Sequence, residues 1–185
     1  SMLDALRRLF PNLKSLVQFR DGGSDSGRGS DELNIQKLFD ECSELIARNQ
    51  IRLAENEDRI RRVEAACKRE ERSILDIKSD ILKRCTLRHI KVLRKRLTRL
   101  SRVSVIYHDN ISLHTHLVDR LENMRVSGMK TVTAEMLNNI TLDCEEMYRE
   151  HRDVIGTAKA MIEHDISIGE DPDLKDLAKE LGVNL

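Results

Sequence analysis

Residues 35–126 read IQKLFDECSELIARNQIRLAENEDRIRRVEAACKREERSILDIKSDILKRCTLRHIKVLRKRLTRLSRVSVIYHDNISLHTHLVDRLENMRV and contain neither Gly nor Pro. Gly29 is the last breaker before this stretch and Gly128 the first after it. Helix interiors exclude Gly at a cost of about 1 kcal/mol and Pro at about 3 kcal/mol. An exclusion of this length therefore predicts long helices. Apolar or small residues recur every seven positions at Phe39, Ile46, Leu53, Ile60, Cys67, Ile74 and Ile81. Further on, the rows Ile90, Leu97, Ser104, Ile111, Val118 and Leu93, Leu100, Tyr107, His114, Leu121 run in parallel. Seven-residue spacing lays each row along one helix face and is the pattern of helix packed on helix.

A single helix of this length would extend ~140 Å at 1.5 Å per residue, so a hairpin is the compact form. The expected fold is all-α: a long antiparallel helical hairpin, able to extend into a long rod, with smaller C-terminal helices. The first long helix starts near Asp31 or Asn34, either of which is an N-cap residue. Its Phe39 row reads as the main seam. The companion row is interrupted by Asn49, Asn56 and Glu70 among Cys42, Val63 and Ile77; such polar positions fix register. The turn is expected between Glu70 and Lys83, where Ser73 or Ser79 can cap the returning helix. The chain then divides into an N-terminal segment (2–20), a linker (21–32), the hairpin (33–127), following helices (131–165) and an acidic tail with a short helix (166–185).

Charged residues make up 35% of the chain and aromatics 3%, with no Trp. Such a composition favours narrow apolar seams over a thick core. The net charge of zero hides a division. Residues 1–132 hold 27 Lys and Arg against 19 Asp and Glu, while residues 133–185 hold 5 against 13. A basic body with an acidic tail can pair internally and expose the body when the tail leaves; the alternative is two solvated faces. Cys42, Cys67, Cys85 and Cys144 have no short pairing, and Cys42 and Cys67 fall at seam positions, which suits buried thiols in a reducing, cytosolic setting. No run approaches the ~20 apolar residues of a membrane span, so any membrane contact is expected to be peripheral.

The first segment, LDALRRLFPNLKSLVQFR, sets Leu3, Leu6, Leu9 or Phe10, Leu13 and Leu16 or Val17 at helical spacing beside Arg7, Arg8, Lys14 and Arg20. Two readings stand level: an interfacial helix with its apolar face in lipid, or an ordinary helix packed on the hairpin. Pro11 ends or kinks it early. The linker DGGSDSGRGSDE has the composition of a flexible tether. The sharpest local feature is Lys83–Arg102, KRCTLRHIKVLRKRLTRLSR, with nine basic residues and no acid. These are Lys83, Arg84, Arg88, Lys91, Arg94, Lys95, Arg96, Arg99 and Arg102, opposed by Leu87, Ile90, Leu93, Leu97 and Leu100. Such a face suits an acidic partner, an anionic membrane, where each basic group contributes about 1 kcal/mol, or nucleic acid. Nucleic acid ranks third, because stacking aromatics are nearly absent. After Gly128, Thr133 is an N-cap with Glu135 in the first turn, and Met136, Ile140, Met147 and Val154 or Ile155 form the expected stripe. Gly156 is a weak point, Ile166–Pro172 a linker, and Asp173–Leu181 a last helix closed by Gly182, with Leu174, Leu177 and Leu181 as its docking face.

No catalytic constellation, cofactor site or metal site is legible, and the chain is read as a non-enzyme without a small-molecule substrate. His114 and His116 lie two apart, which points them in different directions on a helix, so a seam or surface role is expected.

The order of parts resembles the ESCRT-III family, the charged multivesicular body proteins. LRRLF near the start, IQKLFDECSELIARNQ at the first long helix, KTVTAEMLNNI at the late helix and IGEDPDLKDLAKELG near the end carry the likeness. The resemblance implies a cytoplasmic subunit, peripheral on endosomal or other intracellular membranes. It would polymerise with itself and related subunits on anionic lipid to drive budding, scission or endosomal sorting. Leu3, Leu6, Arg7, Arg8, Leu9 and Phe10 would insert. The nine basic residues would meet headgroups or neighbouring subunits. Leu174, Leu177 and Leu181 would hold an autoinhibited state. The family's disassembling AAA ATPase would dock on the last helix, a motif from which this chain departs at Glu180, in place of a basic residue, and Asn184, in place of a leucine. The competing class is a coiled-coil structural adaptor without membrane activity.

Overall fold

The computed structural model describes residues 2–12, 32–147, 149 and 174–185. Most of the expected linker 21–32, the positions Leu13, Leu16 and Val17, and the features at Val154, Ile155, Gly156 and Ile166–Pro172 lie outside the described residues. Helix α1 (Met2–Leu9) comes first, then strand β1 (Glu32–Asn34) and helix α2 (Ile35–Ser73). A 3-10 turn (Ile74–Asp76) leads to helix α3 (Asp80–Val126), followed by strand β2 (Thr131–Thr133). Residues 134–147 continue as helix α4, and α5 (Leu174–Glu180) is last. The fold is all-α in its bulk, and α2 and α3 form the antiparallel hairpin.

Local chemistry sets the boundaries. Asn34 caps α2, its Oδ1 accepting the Lys37 N–H at 3.0 Å. Ser79 caps α3, its Oγ accepting the Leu82 N–H at 3.4 Å. The hairpin turn therefore falls inside the expected window, where Ile77 is extended (φ −79, ψ 126) and breaks the helical run. Thr133 caps α4 by accepting the Met136 N–H at 3.1 Å. At the end of α3, Gly128 adopts φ +91. The Gly128 N–H donates to the Arg125 carbonyl (3.0 Å) and the Met129 N–H to that of Met124 (3.1 Å), the paired bonds of a Schellman stop.

The chain forms two compact units, residues 1–50 with 108–152 and residues 51–107 with 153–185. In the first, β1 pairs antiparallel with β2, Leu33 opposite Val132. The strands are too short to show periodicity in the sequence, which predicts no sheet. Leu33 and Val132 join Leu6, Phe10, Leu38, Cys42, Leu117, Leu121, Leu137, Ile140 and Cys144 in one buried cluster. A large aliphatic or aromatic side chain so enclosed contributes about 1.5–3 kcal/mol. The α4 stripe is Leu137, Ile140 and Cys144, whereas Met136 and Met147, expected inside, are exposed. Phe39 is half-buried beneath Arg125, whose guanidinium lies 4.8 Å from the ring centroid.

In the second unit the seam differs from expectation. It passes from one row to the other: Asn56 and Val63 of the companion row are buried while Leu53 and Ile60 of the main row are half-buried, and then Cys67 and Ile74 of the main row are buried while Glu70 and Ile77 are half-buried. Asn56 is well served there, since its Nδ2 donates to the Leu100 carbonyl and to Ser104 Oγ, both at 2.7 Å. A buried amide that finds its acceptors at one register favours that register. Ile81, the last residue of the supposed seam, is exposed. It belongs to a new helix, whose phase the seven-residue count across the turn does not follow.

Candidate functional site

Two places gather the residues that the sequence singled out. The first is the seat of α5 in the second unit. Seven residues are too few for an isolated helix in water, so α5 depends on what it packs against. Leu177, Ala178 and Val183 are buried with Val63, Cys67, Ile74, Leu87, Ile90 and Leu93, and Leu174 and Leu181 pack at the edge. Gly182, at φ +72, ends the helix. The Val183 N–H donates to the Ala178 carbonyl (2.8 Å) and the Gly182 N–H to that of Lys179 (3.2 Å). That turn carries Val183 back into the apolar cluster. The three expected docking leucines thus share one side of α5, with Leu177 at its centre.

Around this apolar contact lies an ionic one. Arg94 Nη1 donates to both Glu180 oxygens, at 3.1 and 3.2 Å. Its Nη2 and Nε donate to Glu71 Oε1 at 2.9 and 3.3 Å. Partial burial works against the Arg94 charge, but the carboxylates of Glu71 and Glu180 outweigh it and hold the guanidinium above its ordinary value. Cys67 Sγ also donates to Glu71 Oε1, at 3.4 Å. Burial, then the Glu71 charge, pushes the Cys67 thiol up to about 11. Lys83 Nζ donates to the Asn184 carbonyl at 3.0 Å.

The nine basic residues are therefore not one continuous face. Lys83 and Arg94 turn toward the C-terminal segment, Lys91 is half-buried, and Arg84, Arg88, Lys95, Arg96, Arg99 and Arg102 are exposed. Leu87, Ile90 and Leu93 lie inward as the amphipathic pattern requires, with Leu97 and Leu100 against the same cluster.

The second place is α1, in the first unit. Leu6 and Phe10 are fully buried and Leu9 packs beside them, while Arg7 and Arg8 are exposed. The side chain of Leu3 is outside the described residues. Of the two readings of this segment, the arrangement present here is the helix packed on the hairpin. Its anchor is His114, which stacks edge-on to Phe10 with centroids 6.4 Å apart. Its Nδ1 lies 2.8 Å from the Asn110 carbonyl and its Nε2 3.1 Å from the Leu9 carbonyl. A neutral imidazole has one N–H, so both contacts are hydrogen bonds together only in the imidazolium. Asn12 Nδ2 adds a bond to Glu41 Oε2 at 3.3 Å.

Glu71 and the pairing role of Glu180 went unread in the sequence, because each partner lies far away along the chain. His114 had a signal: it stands in the row Leu93, Leu100, Tyr107, Leu121, and a histidine in such a row is placed to be buried. Among the described residues no helix is long and apolar enough to cross a membrane, and no group of three His, Cys, Asp or Glu could hold a metal ion. No family model, curated protein or solved structure matches the chain.

Proposed function

We propose that this chain is an ESCRT-III-like membrane-remodelling subunit, caught with both of its terminal helices docked. The observation that carries the reading is the seat of α5 on the basic hairpin: a helix too short to stand alone, held by Leu177, Ala178 and Val183 and pinned by Arg94 to Glu180. A cap of this kind is released without unfolding the hairpin. The burial of Leu6 and Phe10 supports the same reading, since lipid insertion through α1 would have to follow its undocking. Released chains would extend α2 toward α3, join copies of themselves and related subunits, and polymerise on anionic lipid at the cytoplasmic face of an endosomal or other intracellular membrane. Polymerisation would then drive budding or scission. Glu180 is engaged in the docked state, so an AAA ATPase binding α5 would have to take it from Arg94.

The test is sedimentation with phosphatidylserine-containing vesicles, followed by negative-stain microscopy, on the full chain and on a form ending at Ile166. Rings, spirals or tubes that form more readily on truncation are the expected result. A stable dimer indifferent to lipid and truncation would overturn the proposal in favour of a coiled-coil adaptor. Affinity for duplex falling steeply with salt would favour nucleic-acid binding instead.

A further inference from the structure

The hairpin turn joins exposed apolar side chains to positive charge. Leu75 is 60% exposed, Ile81 76% and Leu82 58%. Single exposed aliphatics are ordinary on a protein surface, but these three fall within one eight-residue stretch, on either side of a single turn. The chain packs Ile74 fully into the cluster beneath and leaves its neighbour Leu75 in water. Exposed charges of both signs neighbour them along the chain, basic at Arg72, Lys78 and Arg84 and acidic at Asp76 and Asp80. Over residues 68–88 there are seven Lys and Arg against four Asp and Glu. Glu71 is taken up by Arg94, Glu70 lies 3.2 Å from His89 Nδ1 and Asp80 3.9 Å from Lys83, which itself turns to the Asn184 carbonyl.

We infer that the hairpin tip is a lipid-contact site for anionic bilayers, distinct from α1 and available while both terminal helices remain docked. Aliphatic side chains at the end of a turn, in a stretch with an excess of basic residues, match the layering of a bilayer surface, with acyl chains beneath and anionic headgroups at the level of the charges. A second copy of this chain fits less well, because tip-to-tip packing would bring the two sets of basic residues together. The inference rests on the membrane reading above and gives it a first step. With Leu6 and Phe10 enclosed, the tip makes the initial contact, and α1 follows.

The chain has no Trp, so Ile81→Trp in this chain supplies a single fluorescent reporter at the tip. Vesicles of phosphatidylcholine with phosphatidylserine are expected to shift its emission to the blue, and brominated acyl chains to quench it. Ile81→Glu with Leu82→Glu is expected to lower the bound fraction roughly ten-fold, with the helical circular dichroism of the parent. If the parent chain binds no anionic vesicle, both the membrane reading and the tip site fall. If the parent binds while the Trp stays in water and the double variant binds equally well, the tip site alone falls. An equal blue shift with pure phosphatidylcholine would overturn its anionic character. A shift that grows with protein concentration in the absence of lipid would assign the patch to a second copy instead.

Discussion

The two units close the same pair of helices by different means. In the first, α1, α4 and a two-stranded clasp surround α2 and α3, and Leu6, Phe10, Leu33, Leu38, Leu117, Leu121 and Leu137 are enclosed together. In the second, α5 with Gly182 and Val183 covers one apolar patch, and an arginine between two carboxylates holds its rim. The Glu180 side chain is 55% exposed, so that rim is open to water and salt. Apolar enclosure resists local opening, whereas a short helix held partly by screened charges opens at small cost. A single hairpin thus has one region closed by apolar enclosure and another closed by a short helix with an exposed ionic rim.

Deleting equal volumes from the two cores separates them most clearly. Leu121→Ala is expected to cost about 2–5 kcal/mol and to lower the global thermal midpoint. Leu177→Ala removes the same atoms but should speed amide exchange mainly in residues 174–185, with a smaller change in midpoint. Equal global losses would show that α5 is as integral as α4.

Next come the glycine stops. An alanine Cβ meets nothing within 4 Å at Gly128 or Gly182, so the cost of substitution is conformational alone, about 1–2 kcal/mol for a left-handed residue. Gly128→Ala should appear in the denaturant midpoint, and Gly182→Ala in the exchange of α5.

Alkaline pH probes the first unit. Burial, then the charge of Glu41, pushes the Cys42 thiol up from 9.0 to about 12. Above pH 9 the unfolded chain gives up this proton and the folded chain keeps it, so stability falls as pH rises from about 9 toward 12. At pH 10 the loss from this thiol is on the order of 1 kcal/mol. Cys42→Ala should flatten that slope in urea titrations at pH 8 and 10, and an unchanged slope would mean that the thiol is accessible. The Cys144 thiol is pushed in the same direction, chiefly by burial, whereas Cys85 is exposed and should be the first cysteine to react with a thiol reagent.

The smallest expected effect is at the rim. Glu180→Arg should cost the docked state at most about 1 kcal/mol, given its exposure, and raise amide exchange in α5 while leaving α4 unchanged. Added salt should do the same to the parent chain.

Much of this architecture could be read from the chain because its signals are local. The absence of Gly and Pro from 35–126 gave the long helices, and Asn34, Ser79, Thr133, Gly128 and Gly182 act where their side chains or backbone freedom suggest. What escaped was non-local. Three-residue strands carry no period, so the β1–β2 pair had no signature. Rows spaced by seven drift around a straight helix by about 20° per repeat, and this obscured which row of α2 faces inward. Asn56 looked like an interruption until its acceptors on α3 were in place. Among the candidate site residues, Arg94 is indistinguishable from its eight basic neighbours until Glu71 and Glu180 meet it. The inward side of α5 was legible because Leu174, Leu177 and Leu181 fall at helical spacing.

Gly182, at φ +72, closes α5 through handedness. Its backbone occupies the region natural to a mirror-image amino acid, and only the absence of a side chain lets an L-chain pass through it. D-alanine placed there by semisynthesis would narrow the freedom of the undocked tail while suiting the backbone of the docked one. Such a residue is worth about 0.4–1 kcal/mol by its effect on the unfolded ensemble. It would tighten the cap through chirality alone, and so measure how firmly the tail is closed without disturbing the charges or leucines that close it.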